Sequence, residues 1–123
     1  MQPLNVVIAI SDPKAAADLA SKLNPHFRSV WVARSADEAR NAIPKQRAQL
    51  AVIDLETIGI EEVEQLCHDF RNTSVVCTHR LADEEMWSHA LKAGAIDCCF
   101  SEDVGGILQA VARNLRVGKA TAA

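Results

Sequence analysis

Five short apolar runs, each followed by a segment of helical period, constrain this chain more than any other feature. The runs are Asn5–Ile10 (NVVIAI), Ser29–Ala33 (SVWVA), Leu50–Asp54 (LAVID), Ser74–Thr78 (SVVCT) and Asp97–Phe100 (DCCF). They are short and mostly rich in Val and Ile, so they read as buried strands. After each one, apolar residues recur at helical spacing. Ala16, Leu19, Ala20 and Leu23 form the first stripe, and Ala36, Ala39 and Ile43 a shorter one entered by Ser35 as N-cap. Val63, Leu66, Cys67 and Phe70 follow. Met86, Ala90, Leu91 and Gly94 make a fourth stripe, opened by the acidic Ala82–Glu85, whose charges oppose the helix dipole. Val104, Ile107, Leu108, Val111 and Leu115 make the clearest one. Strands apolar on both faces, joined by helical crossovers, imply an α/β, three-layer doubly wound domain with a parallel sheet covered on both sides.

At 123 residues the chain has room for one such domain, expected over residues 4–117, with residues 118–123 as a loose C-terminal tail. The net charge is -3 with no block of like charge, which argues against nucleic acid or anionic lipid as the main partner. No apolar stretch reaches the length of a membrane span, and the N-terminus lacks the basic start of a signal peptide. Cys67, Cys77, Cys98 and Cys99 form no C-x-x-C pair and no zinc spacing, so they read as small hydrophobes in a reducing compartment. A cytoplasmic protein is expected.

In an open parallel sheet, ligands bind beyond the carboxyl ends of the strands. Those ends carry Ser11-Asp12, Asp54, Thr78-His79 and Ser101-Glu102. Asp54 closes a nearly unbroken apolar run, where a lone carboxylate is costly unless paired, hydrogen-bonded or metal-bound. Asp12 and Asp54 on adjacent strands would repel unless a divalent cation lay between them, and hard oxygen ligands suit Mg²⁺. Taken singly, Asp12 also fits an N-cap ahead of Pro13. The turn after the first strand, SDPKAAAD, has no glycine, and no P-loop is present, which excludes the common nucleotide-binding turns. His26, His68, His79 and His89 are scattered and form no nucleophile–base pair. His79-Arg80, just after Thr78, is expected to be a solvated loop in preference to a source of positive charge for the strand ends, Trp31 a core residue, and Trp87 either a core residue or an interface anchor.

VVIAISD, LAVIDLE, VVCT and KAGAIDCCF (Lys92–Phe100) together resemble the receiver domains of two-component response regulators over nearly the full chain. The resemblance implies a flavodoxin-like fold with strand order 2-1-3-4-5, acting in phosphorelay signal transduction and not as an enzyme. It implies Asp54 as phosphoacceptor, Thr78 as partner of a phosphoryl oxygen, and Asp12, Asp54 and the Glu56 carbonyl as Mg²⁺ ligands. A histidine kinase or phosphotransfer protein is the implied donor. A protein partner or second copy is implied on the face of helix 4, strand 5 and helix 5. Three parts depart from the family. Ser11 stands where the first of two acidic residues is usual, Ser101-Glu102 replaces a Lys-Pro pair, and Cys98 lies where a switch aromatic is expected. These departures keep open a phosphorylation-independent pseudo-receiver that serves as a protein-interaction module.

Overall fold

Side-chain alternation places the two cores of this domain on opposite sides of one sheet. A computed structural model describes the backbone of residues 2–122 and the side chains of residues 4–114. The strands are β1 (Gln2–Ala9), β2 (Phe27–Ala33), β3 (Leu50–Asp54), β4 (Ser74–His79) and β5 (Asp97–Phe100). The helices are α1 (Pro13–Leu23), α2 (Ala36–Lys45), α3 (Ile60–Asp69), α4 (Glu84–Ala93) and α5 (Val104–Ala122). All neighbouring strands are parallel, in the order β2-β1-β3-β4-β5, so the expected doubly wound fold is the one observed. A short 3-10 turn, Asn24–His26, which the periodicity did not announce, joins α1 to β2.

Successive strand residues point to opposite faces. Val7, Ala9, Ala51, Ile53, Val75, Cys77 and Cys98 pack with Ala39, Ile43, Val63, Leu66 and Ala90 of α2, α3 and α4. Val6, Ile8, Leu50, Val52, Val76 and Cys99 pack with Leu19, Leu23, Ile107 and Val111 of α1 and α5. Cys98 and Cys99 therefore belong to different cores, and all four cysteines are free thiols. Burial pushes the Cys98 thiol up to about 11 and the Cys99 thiol up to about 12, as suits packing residues.

Trp31 departs from the core position expected of it and is 49% exposed. Its strand, β2, lies at the sheet edge with a neighbour on one side only, and just Phe27 and Ala33 of that strand are fully buried. Leu115 and the expected tail at 118–123 lie outside the residues whose side chains are described.

The helix ends follow their sequence signals. Asp12 accepts from the Ala15 N–H (3.0 Å), with Pro13 opening α1. Ser35 accepts from Glu38 N (3.1 Å) while the Glu38 carboxylate accepts from Arg34 N (3.1 Å). Asp83 caps α4 through Met86 N at 2.9 Å, and Asp103 accepts from Gly106 N at 2.9 Å. α4 stops at Gly94, in the left-handed region at φ 111°. A Cβ there would stand 2.8 Å from Cys67 Cβ on α3. Gly94→Ala is therefore expected to lower unfolding stability by about 1–3 kcal/mol, read by chemical denaturation, because strain and collision act together.

Candidate functional site

The sheet register sets Asp54 beside Thr78, one at the end of β3 and the other near the end of β4. By the same alternation their side chains share the face of Val52 and Val76, toward α1 and α5. After Asp54 the chain turns sharply, with Thr57 N and Ile58 N both donating to the Asp54 carbonyl (2.9 and 3.0 Å). The buried Ile58 side chain anchors that turn in the core. Asp54 is 9% exposed and Thr78 is fully buried.

The Thr78 hydroxyl donates to Asp54 Oδ1 at 3.4 Å, and the Thr57 hydroxyl lies 3.4 Å from Oδ2. Both bonds are long and therefore weak. Thr57 Oγ1 also accepts from Ser11 N (2.8 Å) and sits 3.2 Å from Ser11 Oγ. Thr57 thus ties the end of β1 to the β3 turn, a role not anticipated from the sequence. The available signal was a hydroxyl three residues after a buried Asp, a spacing that lets it bond back locally.

Burial is the largest influence on Asp54 and raises its pKa, and the Glu56 carboxylate adds to the rise. Hydrogen bonds from Thr57, Thr78 and the Glu56 backbone pull the other way without overcoming it. Among the described residues, no cation acts on Asp54. Glu56 has its own partners: Arg80 Nε donates to Oε1 at 2.7 Å, and His79 Nε2 lies 4.0 Å away. His79 Nδ1 accepts from Leu81 N at 3.0 Å, and its side chain is only 16% exposed. The expected solvated loop holds for Arg80, which is 75% exposed while it pairs with Glu56, and not for His79, whose side chain is folded in.

A cleft of about 620 Å³ opens here, lined by Asp12, Asp54, Glu56, Thr78, Arg80, Ser101 and Glu102 among others. All four expected site residues therefore meet on one cleft. Their suitability for Mg²⁺ is a separate matter. Asp12 commits Oδ2 to capping α1, and among the described residues no three His, Cys, Asp or Glu side chains gather as a metal site. The expected donors, the Asp12 and Asp54 carboxylates and the Glu56 carbonyl, are hard oxygens of the kind Mg²⁺ takes and would leave most of its positions to water.

No family model and no curated protein matches the chain, whereas solved structures do. The receiver domain of a Francisella response regulator is 26% identical, with a TM-score of 0.69, covering 77% of this chain and 81% of that one. The BeF3-activated N-terminal receiver domain of Klebsiella pneumoniae RstA is 21% identical, with a TM-score of 0.75, covering 89% and 95%. The isolated receiver domain of RcsB from Salmonella enterica serovar Typhimurium, with phosphomimetic BeF3-, is 16% identical with a TM-score of 0.75, covering 95% and 91%. The resemblance read from the sequence therefore holds in three dimensions: the chain has the fold of a response regulator receiver domain. No described helix is long and apolar enough to cross a membrane.

The raised pKa of Asp54 has a consequence for stability. The folded chain holds this proton more tightly than the unfolded one, so stability falls as pH rises from the ordinary carboxylate range through the raised folded value. Above that window the ionised Asp54 costs stability. Asp54→Asn is expected to melt at a higher temperature than the parent at neutral pH, with the gap closing below about pH 4 in calorimetry.

Proposed function

We propose that this chain is a receiver-type signalling domain in which Asp54 accepts a phosphoryl group from a histidine kinase or phosphotransfer protein. One observation carries the reading: a buried carboxylate, paired in register with a buried Thr78 hydroxyl, forms the floor of a cleft at the carboxyl end of the sheet. An Asp54 oxygen attacks the phosphorus of a phosphohistidine. The O–P bond forms, the P–N bond breaks, and the electron pair stays on the imidazole nitrogen, which then takes up a proton. Burial strips water from the attacking carboxylate. The Thr78 hydroxyl, which donates to Asp54 at rest, then turns to a phosphoryl oxygen. Asp12 and the Glu56 carbonyl are the Mg²⁺ ligands that the family resemblance assigns, and this reading routes no step through that ion.

A second reading is favoured by two observations. Glu56, and no cation, is the charged neighbour that acts on Asp54. Trp87 and Phe100 are exposed on α4 and β5, with the Trp87 ring held by its N–H bond to Asp97 at 3.0 Å. Exposed aromatic side chains on α4 and β5 suit a protein partner or a second copy docked on the α4–β5–α5 face without phosphorylation.

Incubation with acetyl phosphate, read by intact mass, separates the two. The expected outcome is a single phosphoryl adduct that Asp54→Asn abolishes. A parent chain that stays unmodified favours the interaction module.

A further inference from the structure

A phosphoryl group adds about -1.5 to -2 charge at neutral pH. The cleft that would receive it is already lined by five carboxylates, Asp12, Asp18, Asp54, Glu56 and Glu102. Ser101 and Glu102 supply no positive charge from the end of β5. A phosphoryl group here therefore calls for a side-chain counter-charge, and among the described residues the cleft lining offers Lys22 and Arg80.

Their positions decide between them. α1 starts at the site and Lys22 lies in its last turn. An 11-residue helix is about 16 Å long, so Lys22 lies toward the far end of the cleft. Arg80 follows Thr78 by two residues, and its anchor Glu56 follows Asp54 by two. The ion pair thus runs from the β4 loop to the β3 loop beside the Asp54–Thr78 pair. It engages Arg80 through Nε, and among the described residues no partner is seen for Nη1 or Nη2. His79 is poorly suited, because its Nδ1 is already bonded to Leu81 N.

We propose that Arg80 is the phosphoryl-binding cation of this domain, held in reserve by Glu56 and exchanged onto the phosphoryl oxygens once Asp54 is modified. The inference rests on Asp54 accepting a phosphoryl group. The exchange is physically reasonable. An exposed carboxylate–guanidinium pair is weakly held, whereas a guanidinium meets a phosphoryl group through two parallel charge-assisted bonds. Glu56 then acts as a competitor whose grip sets how readily Arg80 is released.

The test titrates the full chain with beryllofluoride in Mg²⁺ buffer, following backbone amides and the Arg80 Nε–H signal by NMR. Parent, Asp54→Asn, Arg80→Gln, Arg80→Lys, Glu56→Gln and the Glu56→Gln/Arg80→Gln double variant are compared. Arg80→Gln is expected to weaken binding on the order of tenfold, Arg80→Lys to recover part of it, and the Arg80 Nε–H signal to move on binding. Glu56→Gln is expected to tighten binding only while Arg80 is present. Parent-like affinity in Arg80→Gln overturns the inference, as does an equal gain from Glu56→Gln in both backgrounds, which reports charge removal alone. In either case binding that Asp54→Asn abolishes leaves the phosphoacceptor reading standing. A parent chain that binds no beryllofluoride and forms no adduct with acetyl phosphate removes both.

Discussion

The whole molecule depends on a sheet that must be dry on both faces. Parallel strands cannot be joined by tight turns, so each connection spends a helix, and the helices then cover the sheet. The two cores, one against α1 and α5 and the other against α2, α3 and α4, are the direct result. Burial on both sides also explains why the strand cysteines Cys77, Cys98 and Cys99 can persist as inert packing groups. It leaves polar side chains a limited place to gather, at the carboxyl ends where the strands run out into loops.

Asp54 and Thr78 use that place. Their adjacency is a matter of register: a slip of one residue would turn the carboxylate toward the α2–α3–α4 core, where nothing could solvate it. The site is also unusual in its charge. Around Asp54 the structure assembles hydroxyls, backbone N–H groups and further carboxylates, while its nearest guanidinium is occupied by Glu56. Such a cleft disfavours the ionised form of Asp54 and has to reorganise its charges to accept more negative charge.

Much of this was legible in the sequence for reasons that can be named. Short β-branched runs, helical stripes and cap residues act locally, and Asp12 and Ser35 mark helix starts where the structure has them, whereas Gly94, read as part of the fourth stripe, ends that helix instead. Asp54 was legible because an ionisable group at the end of LAVID conflicts with its surroundings. What escaped depends on distant neighbours. Trp31 looked like core because β2 reads as apolar, yet exposure follows from its edge position. Thr57 gained its role from Ser11, 46 residues away, and Arg80 from Glu56, 24 residues away. Local pattern carries no information on such encounters.

The Ser11–Thr57 bridge has a broader consequence. Two neutral hydroxyls and one backbone N–H hold the β1 loop against the β3 turn, at the position where the family resemblance calls for a further carboxylate. Neutral hydrogen bonds are far less screened by ionic strength than ion pairs. The β1–β3 edge of the cleft is thus shaped in advance by contacts that ask for no counter-ion, a pre-formed rim that holds whatever the electrolyte around it.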